Sequence, residues 1–453
     1  MSLKINVAIL FLLLSFTGFT QRNGVVRFSN NAGYRVLGWN PAEMMNYSGK
    51  VDVNLFSFSG LIFASSSPLP SYGLGSNFQN SDILNNLGAL EVENTELLIT
   101  GAFELPSFML KLNDNHAIGF SSSFRTSNYI SISEVSIFNA LRGVYSASNN
   151  SSSFNQQFMK GLSHTWLELG FSYAGKVFEN DQSYLSVGTS LKYIKGASSG
   201  YFDASDISLT FIEGRDLPDF SMRVSYAFDQ GMQDLVEDFE LTLKSKASIA
   251  GDIGVSYIIK DQEKGGHRFR FGASVVDLGR LKYTAQDGSE NIDISVTGLS
   301  AERFSEVQTM EGFVDTLRNS FSFSESQSNG YTMYLPTSFI LYADAKIIDR
   351  VYCGLEFNNR HNLFQLIDSE REVLNVFNVS PRYEGKRFTA MLPMAYNDLL
   401  KYSVGIGFQT RYFTIGSSNI FTELGSERDF LALNLWLGFQ WQIYCREPKT
   451  QDR

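Results

Sequence analysis

The sequence predicts an all-β fold, a transmembrane, antiparallel, up-and-down β-barrel of about 14 strands with a few short loop helices. Three observations carry this. Apolar and small or polar residues alternate with period two along nearly the whole chain. After the first twenty residues no apolar run reaches the roughly 20 residues of a spanning helix. Near the C-terminus, Leu431, Leu433, Leu435, Leu437, Phe439, Trp441 and Ile443 form one long apolar face, with Ala432, Asn434, Trp436, Gly438, Gln440 and Gln442 on the other, mostly small or amide-bearing. Without helices, a closed sheet alone satisfies every backbone group in hydrocarbon.

The first residues read as an export signal, assigned to residues 1–20. Lys4 precedes an apolar run from Ile5 to Phe16, and Gly18 and Thr20 are small residues before a cut at Gln21. The run is short for a membrane anchor, and no Cys follows it as a lipoprotein would require. Residues 21–50 lack strand rhythm. Within them Asn40 precedes Pro41, the pattern of an N-cap and first helical residue, so a short helix is expected to start there.

The barrel is assigned to residues 51–444, beginning with a strand from Val51 to Phe63. Leu167, Leu169, Phe171 and Tyr173 alternate with Glu168, Gly170, Ser172 and Ala174. The rhythm returns at Leu185–Tyr193, Ile253–Ile259, Phe269–Val275, Val351–Phe357 and Tyr402–Phe408. Glu168, Lys192, Asp252, Arg268, Arg270 and Glu356 fall on the polar side, which suits a wet lumen and not lipid.

Connections come in two lengths. Asn113-Asp114-Asn115, residues 179–182, Gly265-Gly266 and residues 384–386 are turn-like, whereas 133–163, 286–331 and 420–429 are long. Outer-membrane barrels have short periplasmic turns and longer outer loops. In the second long loop Phe304, Val307, Phe313 and Leu317 follow helical spacing, as do Val135, Phe138, Leu141 and Val144 in the first. The former set is a candidate ligand-gathering helix; the plainer reading of both is a helix capping a loop core. The strand ending at Tyr444 closes the barrel, with Leu433, Leu435, Leu437, Phe439, Trp441 and Ile443 facing lipid. Residues 445–453 form a polar tail.

Composition excludes several functions. Net charge is −10, against nucleic acid as a partner. Cys353 and Cys445 are too few for a disulfide framework and are expected to stay unpaired. There is no Gly-x-Ser-x-Gly elbow, His-Glu-x-x-His, zinc-spaced cysteine pair or phosphate loop. His116, His164, His267 and His361 read as solvated turn or strand-end residues, and Asp277-Leu278-Gly279 as turn chemistry, with a lumen site as the alternative. No catalytic residue, cofactor or metal is assigned, and the chain reads as a non-enzyme.

Asn40-Pro41-Ala42, after a signal and before a barrel-like chain, resembles the long-chain fatty-acid transporter (FadL-type) superfamily of outer-membrane barrels. The likeness extends to Asp252-Ile253-Gly254-Val255-Ser256-Tyr257, to Val276-Asp277-Leu278-Gly279 and to Leu335-Pro336. These look like an uncharacterised branch typical of gliding, type IX-secreting bacteria. The resemblance implies a 14-stranded barrel of the Gram-negative outer membrane, plugged by an N-terminal hatch within residues 21–50 that carries Asn40, Pro41 and Ala42. It implies passage or binding of small hydrophobic, fatty-acid-like compounds. The alternative within the same superfamily is a non-transporting barrel, a secretion accessory or surface scaffold for protein partners. Expected partners are outer-membrane lipid, the barrel-insertion machinery, and a small hydrophobic ligand or secretion-system proteins. One departure stands: such barrels commonly end on the aromatic itself, and here Cys445–Arg453 follow Tyr444.

Overall fold

The computed structural model describes residues 24–64, 93–134, 152–211, 219–237, 241–262, 266–286, 290–297, 324–327, 329–361, 373–397, 401–425 and 431–443. Their wall is a closed antiparallel barrel of 14 staves. The first five are β1 (Val51–Ala64), β2 with β3 (Glu93–Glu104, Ser107–Lys111), β4 (His116–Glu134), β5 (Ser152–Glu179) and β6 (Ser183–Phe211). Beside the upper part of β6 runs β7 (Asp219–Phe228), outside the circuit of staves. The circuit goes on with β8 (Ser248–Lys260) and β9 (His267–Thr284). Two further strands outside it, β10 (Glu290–Thr297) and β11 (Ser324–Gln327), continue the sheet from β7. The remaining staves are β12 with β13 (Gly330–Tyr334, Ser338–Ile348), β14 (Val351–His361), β15 (Val373–Glu384), β16 with β17 (Phe388–Met391, Met394–Asn397), β18 with β19 (Lys401–Val404, Ile406–Thr410), β20 (Phe413–Ser417) and β21 (Leu431–Ile443).

The two ends of the wall meet in register, from Val51 opposite Ile443 to Ala64 opposite Leu431, so no edge is left between first and last staves. Three of the divided staves break beside a proline, at Pro106, Pro336 and Pro393. Proline has no N–H for the ladder, and the stave bends where the ladder is interrupted.

Period-two alternation places one side chain in two outside. Phe171, Leu191, Ile253, Phe271, Leu355 and Phe377 are exposed on the outer face, while Glu168, Ser172, Lys192, Asp252, Arg270 and Glu356 are buried within. In β21, Leu433, Leu435, Phe439, Trp441 and Ile443 are exposed and Leu437 is half-buried; Asn434, Gln440 and Gln442 are buried on the opposite face. In β1 a bulge between Asn54 and Phe56 leaves both Leu55 and Phe56 outside, so the inward set runs Asp52, Asn54, Ser57, Ser59. Arg268 departs from the expected lumen position. It sits at the β8–β9 register shift and is exposed.

Six short connections lie at one end, at 112–115, 180–182, 261–266, 349–350, 385–387 and 411–412, which is called the lower end below and the opposite one the outer end. The long loops at the other end are partly strand. β4 and β5 take up much of 133–163, β10 and β11 lie within 286–331, and a helical turn (Ile420–Gly425) opens 420–429. Phe304, Val307, Phe313 and Leu317, like Val135, Phe138, Leu141 and Val144, lie outside the described residues.

β6 changes neighbours partway up. Its first half, Ser183–Ile194, pairs with β8, and Gly200–Thr210 pairs with β7. Between the two partners the chain turns through α1 (Gln230–Glu237), capped by Asp229, whose Oδ1 accepts from the Met232 and Ser199 amides, both at 2.9 Å. Replacing Leu435, mid-strand on the outer face, with Arg is expected to lower folding stability by about 2–4 kcal/mol in lipid vesicles. Reversible denaturant unfolding with tryptophan fluorescence measures it, with Leu435→Ala as the control for lost packing.

Candidate functional site

Gly24 to Asn46 threads the lumen as three 3-10 turns, Gly24–Phe28, Gly33–Val36 and Pro41–Asn46. Phe28, Tyr34, Val36, Leu37, Trp39, Met44 and Met45 are buried there against Met109, Ala117, Ala174, Tyr184, Ile258, Val276, Ile340 and Tyr342 of the wall. The segment fills the lower lumen and is called the hatch below. Phe28, Trp39 and Tyr342 form its aromatic centre, with the Trp39 and Tyr342 rings 4.2 Å apart.

Asn40-Pro41-Ala42 occupies a seat built for it. Asn40 caps the third turn, its Oδ1 accepting from the Ala42 amide at 3.0 Å, with Pro41 as first residue. Its Nδ2 donates to the Val255 carbonyl and to the Tyr342 hydroxyl, both at 2.9 Å. Two glycines of the wall, Gly188 in β6 and Gly254 in β8, face each other in the ladder directly beneath the motif. A Cβ on Gly254 would lie 2.0 Å from Asn40 Oδ1, and one on Gly188 would lie 2.3 Å from the Ala42 nitrogen. The hatch comes this close only because the wall there has no side chains.

Buried charges fasten the hatch at two levels. Low in the lumen, Arg270 donates to Glu43 of the hatch at 3.0 Å, to Asp344 at 2.8 Å and to the Phe28 carbonyl at 2.5 Å. Arg382 holds Asp344 with two bonds at 2.6 and 2.7 Å and Glu384 at 2.7 Å, and Glu384 in turn accepts from the Asn30 backbone and side chain. His267 bridges Asp344 and Asn30 at 2.8 and 2.9 Å. Higher up, Glu356 accepts from Arg27, from Trp39 Nε1 at 2.9 Å and from Asn378 at 3.0 Å. On the far wall Tyr34 donates its amide to Asp52 at 3.0 Å and its hydroxyl to Glu104 at 2.8 Å, and Arg35 donates to Gln440.

Above the hatch a second ionic group joins five staves. Arg125 pairs with Glu168 and Asp277, both at 2.9 Å, and Lys192 with Asp277 at 2.6 Å, Asp252 at 2.7 Å and Glu168 at 3.5 Å. Asp277 is not at a turn, as its sequence context suggests. It stands inside β9, beside the register shift between Gly251 and Ile253, with φ of 61°. Asp tolerates this left-handed conformation better than most residues, and here it re-aims the carboxylate into the lumen.

Nearer the outer end the inward residues become apolar. β1 passes from Ser57 and Ser59 to Leu61 and Phe63, β15 from Asn378 to Val376 and Leu374, and these meet Leu98, Tyr129 and Ala432. Across the lumen Trp166, Ile194, Leu281, Tyr283, Tyr331, Met333 and Leu335 make a second apolar tier, where β6 changes partners. The interior is therefore layered: a polar base holding the hatch, a charged middle and an apolar top.

Two histidines depart from the solvated reading. His267 is fully buried in the lower network, and His164 lies between Trp166 and Tyr283, bonding the Tyr283 hydroxyl at 2.9 Å. His116 and His361 are exposed. Cys353 is a free thiol, half-buried in β14; Cys445 lies outside the described residues. Glu43 and Tyr34 were not marked by sequence, and Asp277 and His267 were read there as turn residues. Glu43 alone carries a readable signal, as the acidic residue two places after Pro41 in the motif's own turn.

Residues 41–418 match the model of a family described as "Family of unknown function (DUF5723)". No functionally curated protein matches the sequence. Among solved structures, the Ralstonia pickettii toluene transporter TbuX is 12% identical, with 94% of this chain and 100% of that one covered and a TM-score of 0.43. A Pseudomonas aeruginosa FadL homologue is 10% identical over 94% and 98%, with a TM-score of 0.44. The translocator domain of the autotransporter NalP from Neisseria meningitidis is 6% identical over 86% and 88%, with a TM-score of 0.31.

Two substitutions separate the hatch's supports. Gly254→Leu is expected to unseat the Asn40 turn and open the lumen, read as ion conductance in planar bilayers where the native protein is silent. Arg270→Ala leaves Glu43 buried without its ion-pair partner, while Asp344 keeps Arg382, and is expected to cost about 3–5 kcal/mol, measured by denaturant unfolding in detergent.

Proposed function

The chain belongs to DUF5723, a family of unknown function, and we propose that it is an outer-membrane barrel that binds small hydrophobic compounds above a displaceable hatch. The layering of the lumen carries this reading. An apolar concave region with few convergent polar groups is the ordinary surroundings of a small apolar ligand. Leu61, Phe63, Leu98, Leu374 and Val376 on one side, with Trp166, Leu281 and Met333 on the other, form two buried apolar clusters at the outer end, and on this reading a ligand enters by parting them. The hatch lies between them and the lower end, so onward passage requires the hatch to move.

Displacement has an energetic cost that sets how such a step works. Withdrawing the hatch strips Arg270 of Glu43, and Glu356 of Arg27 and Trp39. Charges left uncompensated in a low-dielectric interior are expensive, whereas a water-filled lumen re-solvates them. Hatch movement is thus coupled to wetting of the lower lumen.

A second reading, a non-transporting scaffold or secretion accessory, draws on the sheet that β7, β10 and β11 add beside β6. Strands outside the wall contribute nothing to closure, and they offer pairing edges for a protein partner. Both readings share the outer membrane as location and lipid as the medium around the barrel.

The detergent-solubilised protein is expected to bind an apolar fluorophore such as N-phenylnaphthylamine saturably, with roughly tenfold weaker binding in Leu98→Asp and Leu374→Asp. Binding by native and substituted proteins alike, or none by either, refutes the hydrophobic-ligand reading. Recovery of secretion components on the purified barrel, together with no fluorophore binding, favours the scaffold.

A further inference from the structure

We propose that a single proton on His267 latches the hatch to the wall: the doubly protonated ring ties Asn30 to Asp344, and loss of that proton frees this corner of the hatch. The latch belongs to the hatch's own seat and stands apart from the hydrophobic-ligand reading, which concerns the apolar tiers above.

Both ring nitrogens of His267 face acceptors. Nε2 lies 2.8 Å from Asp344 Oδ2, and Nδ1 lies 2.9 Å from Asn30 Oδ1. The orientation of the Asn30 amide is fixed from its other end. Its Nδ2 donates to Glu384 Oε2 at 3.0 Å while its backbone N–H donates to Glu384 Oε1 at 3.1 Å, so turning the amide over would set an oxygen against the carboxylate. Asn30 Oδ1 therefore meets the imidazole as an acceptor. A neutral imidazole has one N–H and one bare lone pair, and in this place the lone pair would oppose an oxygen at under 3 Å. Only the doubly protonated ring donates to both partners.

The local charge count points the same way. Asp344 accepts two bonds from Arg382 and one from Arg270, so it is held ionised. Glu43 accepts from Arg270 at 3.0 Å and from the Tyr342 and Ser256 hydroxyls, both at 2.5 Å. Glu384 accepts from Arg382 at 2.7 Å as well as from Asn30. Arg270 and Arg382 thus face three carboxylates with two positive charges, and the His267 ring, 0% exposed, is placed to supply the third. The other ionisable groups around it are Tyr352 of β14, with ring centroids 5.1 Å apart, Lys260 of β8, turned to Glu179, and Lys346 of β13, turned to Asp261. Tyrosine and lysine ordinarily titrate near about pH 10, so the imidazole is the group here that changes charge around neutrality.

The sign follows from linkage. The seated hatch supplies an acceptor for the second ring proton, so the seated state binds that proton more tightly than the released one. The hatch is held most firmly below the ring's titration and loosens as pH rises through it. Protonation of Glu384 would act in the opposite direction, releasing Asn30 on the acid side.

The test follows ring and hatch together in the detergent-solubilised full chain. Ring nitrogen resonances of the protein labelled with nitrogen-15 histidine are recorded from about pH 5 to 9, and amide hydrogen exchange is measured by mass spectrometry over the same range, corrected for its intrinsic pH dependence. The His267 signals, identified by their absence in His267→Gln, are expected to pass from the doubly to the singly protonated ring. Exchange of residues 29–34 is expected to speed up at least about tenfold with the same midpoint, while residues 40–46 in the glycine seat stay unchanged. Asn30→Ala removes the hatch's acceptor and is expected to lower the proton affinity of His267 about threefold or more. In His267→Gln the exchange of residues 29–34 is expected to be independent of pH; should that variant misfold, Asn30→Ala carries the test. A ring that keeps one protonation state throughout, hatch exchange that ignores the ring or speeds up toward acid, or an unchanged proton affinity in Asn30→Ala overturns the proposal. Failure of fluorophore binding above leaves it standing.

Discussion

Hydrocarbon offers no partner to a backbone amide or carbonyl, so every wall strand must pair on both sides and the sheet must close on itself. The ladder between β1 and β21 is where that requirement is met, thirteen residues from the C-terminal strand against the first. Closure then forces a second consequence. Half the side chains of each stave point into an enclosed space, and a space that narrow must be filled or wetted. The hatch, the ionic groups and the apolar tiers are three answers to that one geometric demand.

The lower lumen combines the apolar cluster of the hatch with buried charges that must be paired. Arg270, Arg382, Asp344 and Glu384 pair with one another within the wall, and Glu43 and Asn30 of the hatch complete the group at Arg270 and Glu384. Buried ion pairs of this kind add little net stability over an apolar equivalent, yet they specify one arrangement sharply. The same trade appears at the glycine seat of Asn40. Omitting side chains at Gly188 and Gly254 sacrifices wall packing so that a single turn of hatch fits in a single pose. Both features fix this segment in one pose.

Much of the wall was legible from alternation, because the outer face sees a uniform apolar medium and each outward position answers to it alone. The strands through Phe171, Ile253 and Leu355 show this, as does β21. Legibility failed where local geometry breaks the parity of the strand. Arg268 and Arg270 look equivalent in sequence, but the register shift at Lys260 sends the first outward and the second inward. Asp277-Leu278-Gly279 has the composition of a turn and lies inside a stave, since a bulge uses the same residue types. His267 beside a glycine pair reads as exposed, and its burial depends on Asn30 arriving from 237 residues away.

The sequence by itself determined the closed sheet, its count of about fourteen staves and the helical turn at Asn40, since period, length and capping chemistry are properties of neighbouring residues. The tertiary structure decided what the interior is for. Which charges face one another and where glycine makes room for the hatch depend on residues of different staves, and of the hatch, being brought together. Arg27 meeting Glu356, and Trp39 meeting the same carboxylate, are pairings across more than 300 residues. No local pattern encodes them, because a barrel's interior contacts are set by closure and stagger of the whole sheet.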